Sequence, residues 1–278
     1  MMVNDYTVKV IELNNAEGDI ISEIVEILRS AFNTSDLFDE EWFRWKHVES
    51  PYGSSLCWCV FYKGNIVAVR LYSIWCNDEK YIQAVDTATD KNHQRKGLFK
   101  MLINESLQHI SDRNMVIFNF PNSNSCPQYL KYGWKIKEKL ALGTAIIPRY
   151  NNKSVSDYLS DRHTKSFIDW RLDVRSKQCY LKFLTPNSKV IFKSNESFCN
   201  YYHLVYLNLN KKDTSELISF MIKNKIFIVR YLADNMIVSR FVNENFFFKI
   251  KGKKKVNLLT RGGDIPLNNV QLLDMDFM

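Results

Sequence analysis

Gln94-Arg95-Lys96-Gly97-Leu98-Phe99 joins a strand-like run, Tyr81 to Thr89, to a strongly amphipathic segment, and the reading of this turn decides the fold. Phe99, Leu102, Ile103, Ser106, Leu107 and Ile110 recur at helical spacing, so five of six inward positions are apolar. Met115 to Phe120 reads as the next strand. Strand, crossover helix and strand form a β-α-β unit whose two strands run parallel. A basic, glycine-containing turn feeding a helix N-terminus is an anion site, because free backbone N–H groups and the helix dipole both favour phosphate.

Upstream, Ile20, Ile21, Ile24, Val25, Leu28, Ala31 and Phe32 mark an amphipathic helix, and Trp42, Phe43 and Trp45 a shorter one. Leu56 to Tyr62 and Ile66 to Ile74 read as strands joined through Lys63-Gly64-Asn65, a good hairpin turn. The order is helices, antiparallel strands, then a parallel β-α-β unit, which predicts an α/β fold on a mixed sheet. Downstream of Pro148 the pattern restarts. Phe167-Ile168-Asp169-Trp170-Arg171 echoes Trp42-Phe43-Arg44-Trp45-Lys46, and each is followed by a strand rich in aromatics and cysteine. A helix, Ser215 to Lys223, then precedes a strand, Ile226 to Leu232. We read an internal duplication with a boundary near 148–155, giving domains 1–148 and 149–278. Two unrelated α/β halves sharing common motifs are the alternative. Where the first half has its basic turn, the second has Asn208-Leu209-Asn210-Lys211-Lys212-Asp213, without glycine.

The 278 residues are 46% hydrophobic and 14% aromatic, which describes a packed globular protein rather than a disordered one. No apolar run approaches the roughly 20 residues that span a bilayer, and the N-terminus lacks a secretory pattern, so a cytoplasmic protein is expected. Cysteines stand at 57, 59, 76, 126, 179 and 199, with no C-x-x-C pair and no histidine spacing for a metal. Buried free thiols are expected, and no metal. The net charge of +8 is compatible with nucleic acid, a membrane surface or an acidic small molecule. Its densest cluster, Lys249-Ile250-Lys251-Gly252-Lys253-Lys254-Lys255, reads most simply as a solvated hairpin turn between Phe246-Phe247-Phe248 and Val256 to Leu259, which argues against a nucleic-acid role.

Thr87-Ala88-Thr89-Asp90-Lys91-Asn92-His93 followed by Gln94 to Phe99 resembles the coenzyme-A-binding signature of the GNAT acyltransferase superfamily, Q/R-x-x-G-x-G/A after a strand. Gln94 and Gly97 match, and Phe99 departs from the usual small residue, as in branches of the family that modify surface sugars. Asn122-Ser123-Asn124-Ser125-Cys126-Pro127-Gln128-Tyr129-Leu130-Lys131-Tyr132-Gly133-Trp134 is similar to the family's N-x-x-A-x-x-L-Y-x-x-x-G-F segment, matching at Asn122, Tyr129 and Gly133. The two motifs cover about residues 80–135. The resemblance implies a GNAT-like fold in the first half, a degenerate GNAT-like second half that is structural or lines the substrate cleft, and acetyl-CoA as co-substrate.

By the same resemblance, backbone N–H groups of Arg95, Lys96, Gly97, Leu98 and Phe99 cradle the pyrophosphate, and Gly97 lets the backbone come close. Thr87, Ala88 and Thr89 pair through their backbone with the pantetheine arm. Asn122 contacts the arm or orders the following loop, and capping the next helix is the alternative. Tyr129 aligns with the family's proton donor to the departing thiolate, which suits a phenol protonated at neutral pH. Where several members carry a strand glutamate, this chain has Gln83. Asp86 is the nearest carboxylate on that strand and the candidate base; simple alternation turns it away from Gln83, and a bulge would reverse that. An amine with a pKa of about 8 needs little base, which favours an amino sugar or α-amine over lysine. The expected activity is acetyl transfer to a small amine, an amino sugar in surface-polysaccharide synthesis. The alternatives are tRNA-dependent aminoacyl transfer of the peptidoglycan-bridge type, against which the coenzyme A turn argues, and a non-catalytic coenzyme-A-binding regulatory protein.

Overall fold

The structure is a computed structural model that describes residues 5–16, 18–32, 38–75, 80–151, 156–160, 163–195, 200–265 and 270–275. Cys76, Cys199 and much of the expected boundary near 148–155 lie outside them. The first half runs β1 (Tyr6–Ile11), α1 (Gly18–Phe32), α2 (Glu40–His47), β2 (Leu56–Tyr62), β3 (Asn65–Ile74), β4 (Tyr81–Thr89), α3 (Leu98–Asp112), β5 (Val116–Asn119), α4 (Cys126–Lys131) and β6 (Lys135–Pro148). The second runs α5 (Lys165–Arg171), β7 (Tyr180–Leu184), β8 (Lys189–Ser194), β9 (Tyr201–Asn208), α6 (Thr214–Lys223), β10 (Ile228–Leu232), α7 (Met236–Asn245) and β11 (Phe246–Arg261).

Local chemistry places these elements. Asp39 caps α2 by accepting the Trp42 N–H at 2.7 Å. Lys63 and Gly64 take positive φ of 50° and 91°, the twist that a tight β2–β3 hairpin requires. The run Tyr129 to Trp134 ends α4: Gly133 has φ 78°, and the Trp134 N–H returns to the Tyr129 carbonyl at 3.3 Å.

One sheet of eleven strands passes through both halves in the order β1-β2-β3-β4-β5-β11-β6-β10-β9-β8-β7. β4 and β5 are parallel, as are β9 and β10, each pair joined through a helix. The final strands change places: β11 pairs with β5 and β6 pairs with β10, while β6 and β11 pair antiparallel at the centre. The echo between the tryptophan motifs has a physical counterpart. Trp45 Nε1 donates to the Trp170 carbonyl and Trp170 Nε1 to the Trp45 carbonyl, both at 2.8 Å, and the rings stack. Each half therefore presents the same group to the other, as in a two-fold dimer.

The sequence pattern did not disclose β1, β6, β8, β9 or α7. The lysine cluster is also corrected: residues 249–255 belong to the single strand β11, not to a hairpin turn. A bulge between Lys251 and Lys255 absorbs the glycine and charges. Among the described residues this stretch of β11 pairs only with β6, and Lys249, Lys251 and Lys255 are exposed. Cys57 and Cys59 are free, buried and on one face of β2, as expected, and Cys126 is buried, whereas Cys179 is exposed. Among the described residues, no group of side chains could hold a metal and no helix is long and apolar enough to cross a membrane.

Candidate active site

The site is built where β4 leaves β5. Their parallel pairing ends at Gln83 opposite Phe118, whereas on its other edge β4 stays paired with β3 as far as Thr89 opposite Ala68. The edge of β4 facing β5 is therefore unpaired from Ala84 to Thr89, and Thr87, Ala88 and Thr89 line that gap. A bulge sets Val85 and Asp86 opposite Leu71 alone. It flips the strand's parity, so Asp86 faces α2 while Thr87 faces α3 and α4.

The turn follows at the mouth of the gap. Gln94 Nε2 reaches back to the Thr89 carbonyl at 3.4 Å. Arg95 and Gly97 both take left-handed backbone conformations, φ 60° and 81°. A Cβ on Gly97 would meet nothing within 4 Å, so the space over the turn is open. α3 begins with no side-chain cap and no acidic residue in its first turn. The first N–H of α3 with a backbone acceptor is that of Met101, to Gly97; those of Leu98, Phe99 and Lys100 have none among the described residues. Unused donors, the helix dipole and the flanking Arg95, Lys96 and Lys100 make a cradle for a phosphorylated group. Leu98 is buried, which leaves only its backbone to the cradle. Phe99 turns its ring toward Tyr132, 6.2 Å away, and toward Arg70, away from the turn.

Asn122 Oδ1 accepts from the N–H groups of Asn124 at 3.0 Å and Ser125 at 2.9 Å and from the Ser125 hydroxyl at 3.0 Å. Of its expected roles, ordering the loop before α4 is the one these bonds perform; the residue at the helix start itself is Ser125. Tyr129 is buried on α4 against Trp134, with the Arg70 guanidinium 5.6 Å from its ring centre. Tyr132, the residue that ends this short helix, accepts an Arg261 N–H at its carbonyl.

Asp86 has a different role from the expected one. Its Oδ2 accepts from Lys46 Nζ at 2.6 Å and lies 2.9 Å from His47 Nε2, while His47 Nδ1 lies 2.9 Å from the Ser55 hydroxyl. Burial pushes the Asp86 carboxyl up, but Lys46 and His47 outweigh it and hold it far below the carboxylate range. Such a group is a poor proton acceptor at neutral pH; it ties α2 to β4. Gln83 is buried, and its Oε1 has no partner among the described residues.

Sequence reading missed a polar chain beneath the turn. Arg70 on β3 is wholly buried; its Nε donates to the Tyr72 hydroxyl at 2.5 Å and its Nη1 to Thr87 Oγ1 at 3.1 Å. The Tyr72 hydroxyl meets Ser106 Oγ at 2.8 Å, and Ser106 donates to the Ile103 carbonyl within α3. Two signals were present: a lone charge in the apolar run Ile66 to Tyr72, and Ser106 as the one polar residue in the inward stripe of α3.

The second half has the same scaffold without the cradle. β9 parts from β10 after His203 and carries a bulge near Val205. Asp90 and Asn210, seven residues beyond Gln83 and His203, each cap a single 3-10 turn. In the second half α6 starts directly after that turn; in the first, residues 94–97 intervene. Asp213 stands at the start of α6, accepting hydroxyls from Thr185 at 2.6 Å and Ser188 at 2.5 Å, and Glu216 follows in the first turn. Those hydroxyls hold the Asp213 carboxyl below its ordinary range, so the helix end is occupied by negative charge.

Residues 12–137 match the family model for the acetyltransferase (GNAT) domain. That region, somewhat less than half of the chain, is similar to a GNAT acetyltransferase domain. The whole fold is similar to a putative acetyltransferase from Pyrococcus horikoshii, with TM-score 0.54 and 11% identity over 98% of this chain and 94% of that one. It is similar to a probable N-acyltransferase from Enterococcus faecalis V583, with TM-score 0.62 and 11% identity over 92% of this chain and 72% of that one. It is also similar to a tandem GNAT protein from the clavulanic acid biosynthesis pathway, with TM-score 0.54 and 9% identity over 94% of this chain and all (100%) of that one. No curated protein sequence matches the chain.

Proposed function

We propose that the chain transfers an acetyl group from acetyl-CoA to a small amine, with an amino sugar, nucleotide-linked and bound for a surface polysaccharide, as the acceptor class. One observation carries the coenzyme assignment. An open, uncapped and acid-free helix start lies at the mouth of a parted strand pair in the first half only. Acetyl-CoA supplies an activated thioester when bound. The turn from Gln94 to Phe99 holds its pyrophosphate through backbone N–H groups, and the free edge of Thr87, Ala88 and Thr89 pairs with its pantetheine arm. Tyr129 gives a proton to the departing sulfur.

With Asp86 ion-paired and Gln83 unable to accept a proton, neither of these strand residues supplies a strong base. That fits an acceptor already partly neutral at pH 7, an amine with a pKa of about 8 rather than lysine near 10.4. The basic surface suits a phosphorylated acceptor. The second half acts through β11 and the Trp45–Trp170 pair as the scaffold that completes the first. The test is thiol release from acetyl-CoA with a panel of free and nucleotide-linked amino sugars, α-amines and a lysine peptide. Turnover with an amino sugar is expected; turnover of the lysine peptide alone contradicts the acceptor class, and none with any amine contradicts the reaction.

A further inference from the structure

Arg70 is a guanidinium placed where the fold does not need one. Its side chain has no exposure, no carboxylate lies within 4 Å of it among the described residues, and its Nη2 is buried without a partner. What surrounds it is phenol and hydroxyl oxygen: Tyr72, Thr87 and, with its ring 5.6 Å from the guanidinium carbon, Tyr129. Burial works against the charge, and the oxygens of Tyr72 and Tyr129 are the groups that favour it. A buried cation without a counter-ion is costly to desolvate, so its placement calls for a reason.

The chain contains its own control. Strand register equates Arg70, opposite Thr87, with Val190, opposite Leu207: Thr87 and Leu207 each lie four residues beyond the last parallel-paired residue of their strand. Tyr72, opposite Ala84, corresponds to Phe192, opposite Leu204. On the helices, the buried set Leu102, Ile103 and Ser106 has the spacing of Leu217, Ile218 and Met221. The half that lacks the cradle therefore fills the Arg70–Tyr72–Ser106 positions with Val190, Phe192 and Met221, all fully buried and all apolar. The architecture is satisfied by hydrocarbon there. The polar chain accompanies the cradle.

We propose that Arg70 is a positioning residue for proton transfer by Tyr129, fixed through Tyr72 and Ser106 to the helix that carries the coenzyme A turn. This rests on the acetyltransferase reading above. The acceptor nitrogen bonds to the thioester carbon, the C–S bond breaks with its electron pair leaving on the sulfur, and the proton on Tyr129 Oη passes to that sulfur. The phenolate so formed faces the Arg70 cation, until the proton lost by the attacking nitrogen restores the phenol. A fixed cation beside a charge that develops only during reaction lowers the barrier without tightening ground-state binding.

The test is a double-mutant cycle on the full chain: Arg70→Met and Arg70→Lys, each alone and with Tyr129→Phe. Calorimetry follows acetyl-CoA binding, and thiol release follows turnover with the amine of the panel above that the wild-type chain turns over fastest. Arg70→Met should lower kcat by about tenfold or more while leaving acetyl-CoA affinity and KM within about threefold. In the Tyr129→Phe background the same change should cost less than about twofold, and Arg70→Lys should recover part of the lost rate. If Arg70→Met does not fold, Tyr72→Phe, which frees the guanidinium while keeping its charge, takes its place in the cycle. Equal losses in both backgrounds, or a loss of affinity that matches the loss of rate, overturn the role of Arg70 and leave the acetyltransferase reading standing. A wild-type chain that binds no acetyl-CoA, or binds it and releases no thiol, overturns both.

Discussion

Asp86 shows how far one residue's role depends on its neighbours. Its position next to the motif suggested a base; the bulge brings it to the face of α2, where Lys46 and His47 take it into an ion-paired cluster. Its folded-state pKa lies below the unfolded value, so it stabilises the protein above the ordinary carboxylate range. That contribution is lost as pH falls from about 5 through the unfolded value near 3.9 toward the lower folded one. Asp86→Asn should therefore lower stability at pH 7 by about 3 kcal/mol, because it strands the Lys46 charge in a buried site, and should flatten the acid limb. Denaturant unfolding between neutral and acid pH checks both; an acid limb as steep as the wild type's contradicts the assignment. The motif residues Gln94, Gly97, Asn122 and Tyr129 were legible because backbone geometry and caps leave marks at fixed spacing. Arg70, Lys46 and His47 were not, since their partners lie far off in sequence and meet only through the sheet.

At the level of elements, the contrast between α3 and α6 reduces to four residues and two acids. Deleting 94–97 would give α3 the entry that α6 already has. The shortened chain should fold, with its melting temperature within a few degrees of the wild type, about 1 kcal/mol for a protein of this size. It should bind no acetyl-CoA. A thermal melt beside calorimetry checks this, and a chain that fails to fold would make the insertion structural. Local signals gave α1, α2, α3, β2, β3, β4 and β5 because each has a clear period and turn chemistry at its ends. β6 and β11 escaped for a physical reason. They are long and meet across bulges, and apolar alternation in them is interrupted by exposed lysines.

For the whole molecule the exchange of β6 and β11 matters most. β5 has β11 as its outer neighbour, and β10 has β6, so neither half closes its own part of the sheet. Residues 1–148 alone would leave β5 and β6 without β11, exposing strand edges and the apolar surface shared across the boundary by Ile191, Val205 and Tyr206. We expect this fragment to be insoluble or unfolded and the full chain to unfold in one transition followed equally by circular dichroism and tryptophan fluorescence. A soluble, cooperatively folded 1–148 would show that the halves are independent.

The central claim is a single coenzyme A site at the Gln94 to Phe99 turn, and titration calorimetry with acetyl-CoA tests it most directly. The account predicts one molecule bound per chain, with affinity reduced by about tenfold or more, some 1.4 kcal/mol, in Gly97→Glu, which puts a carboxylate into the phosphate cradle. No binding, two equivalents per chain, or an affinity untouched by Gly97→Glu would contradict it.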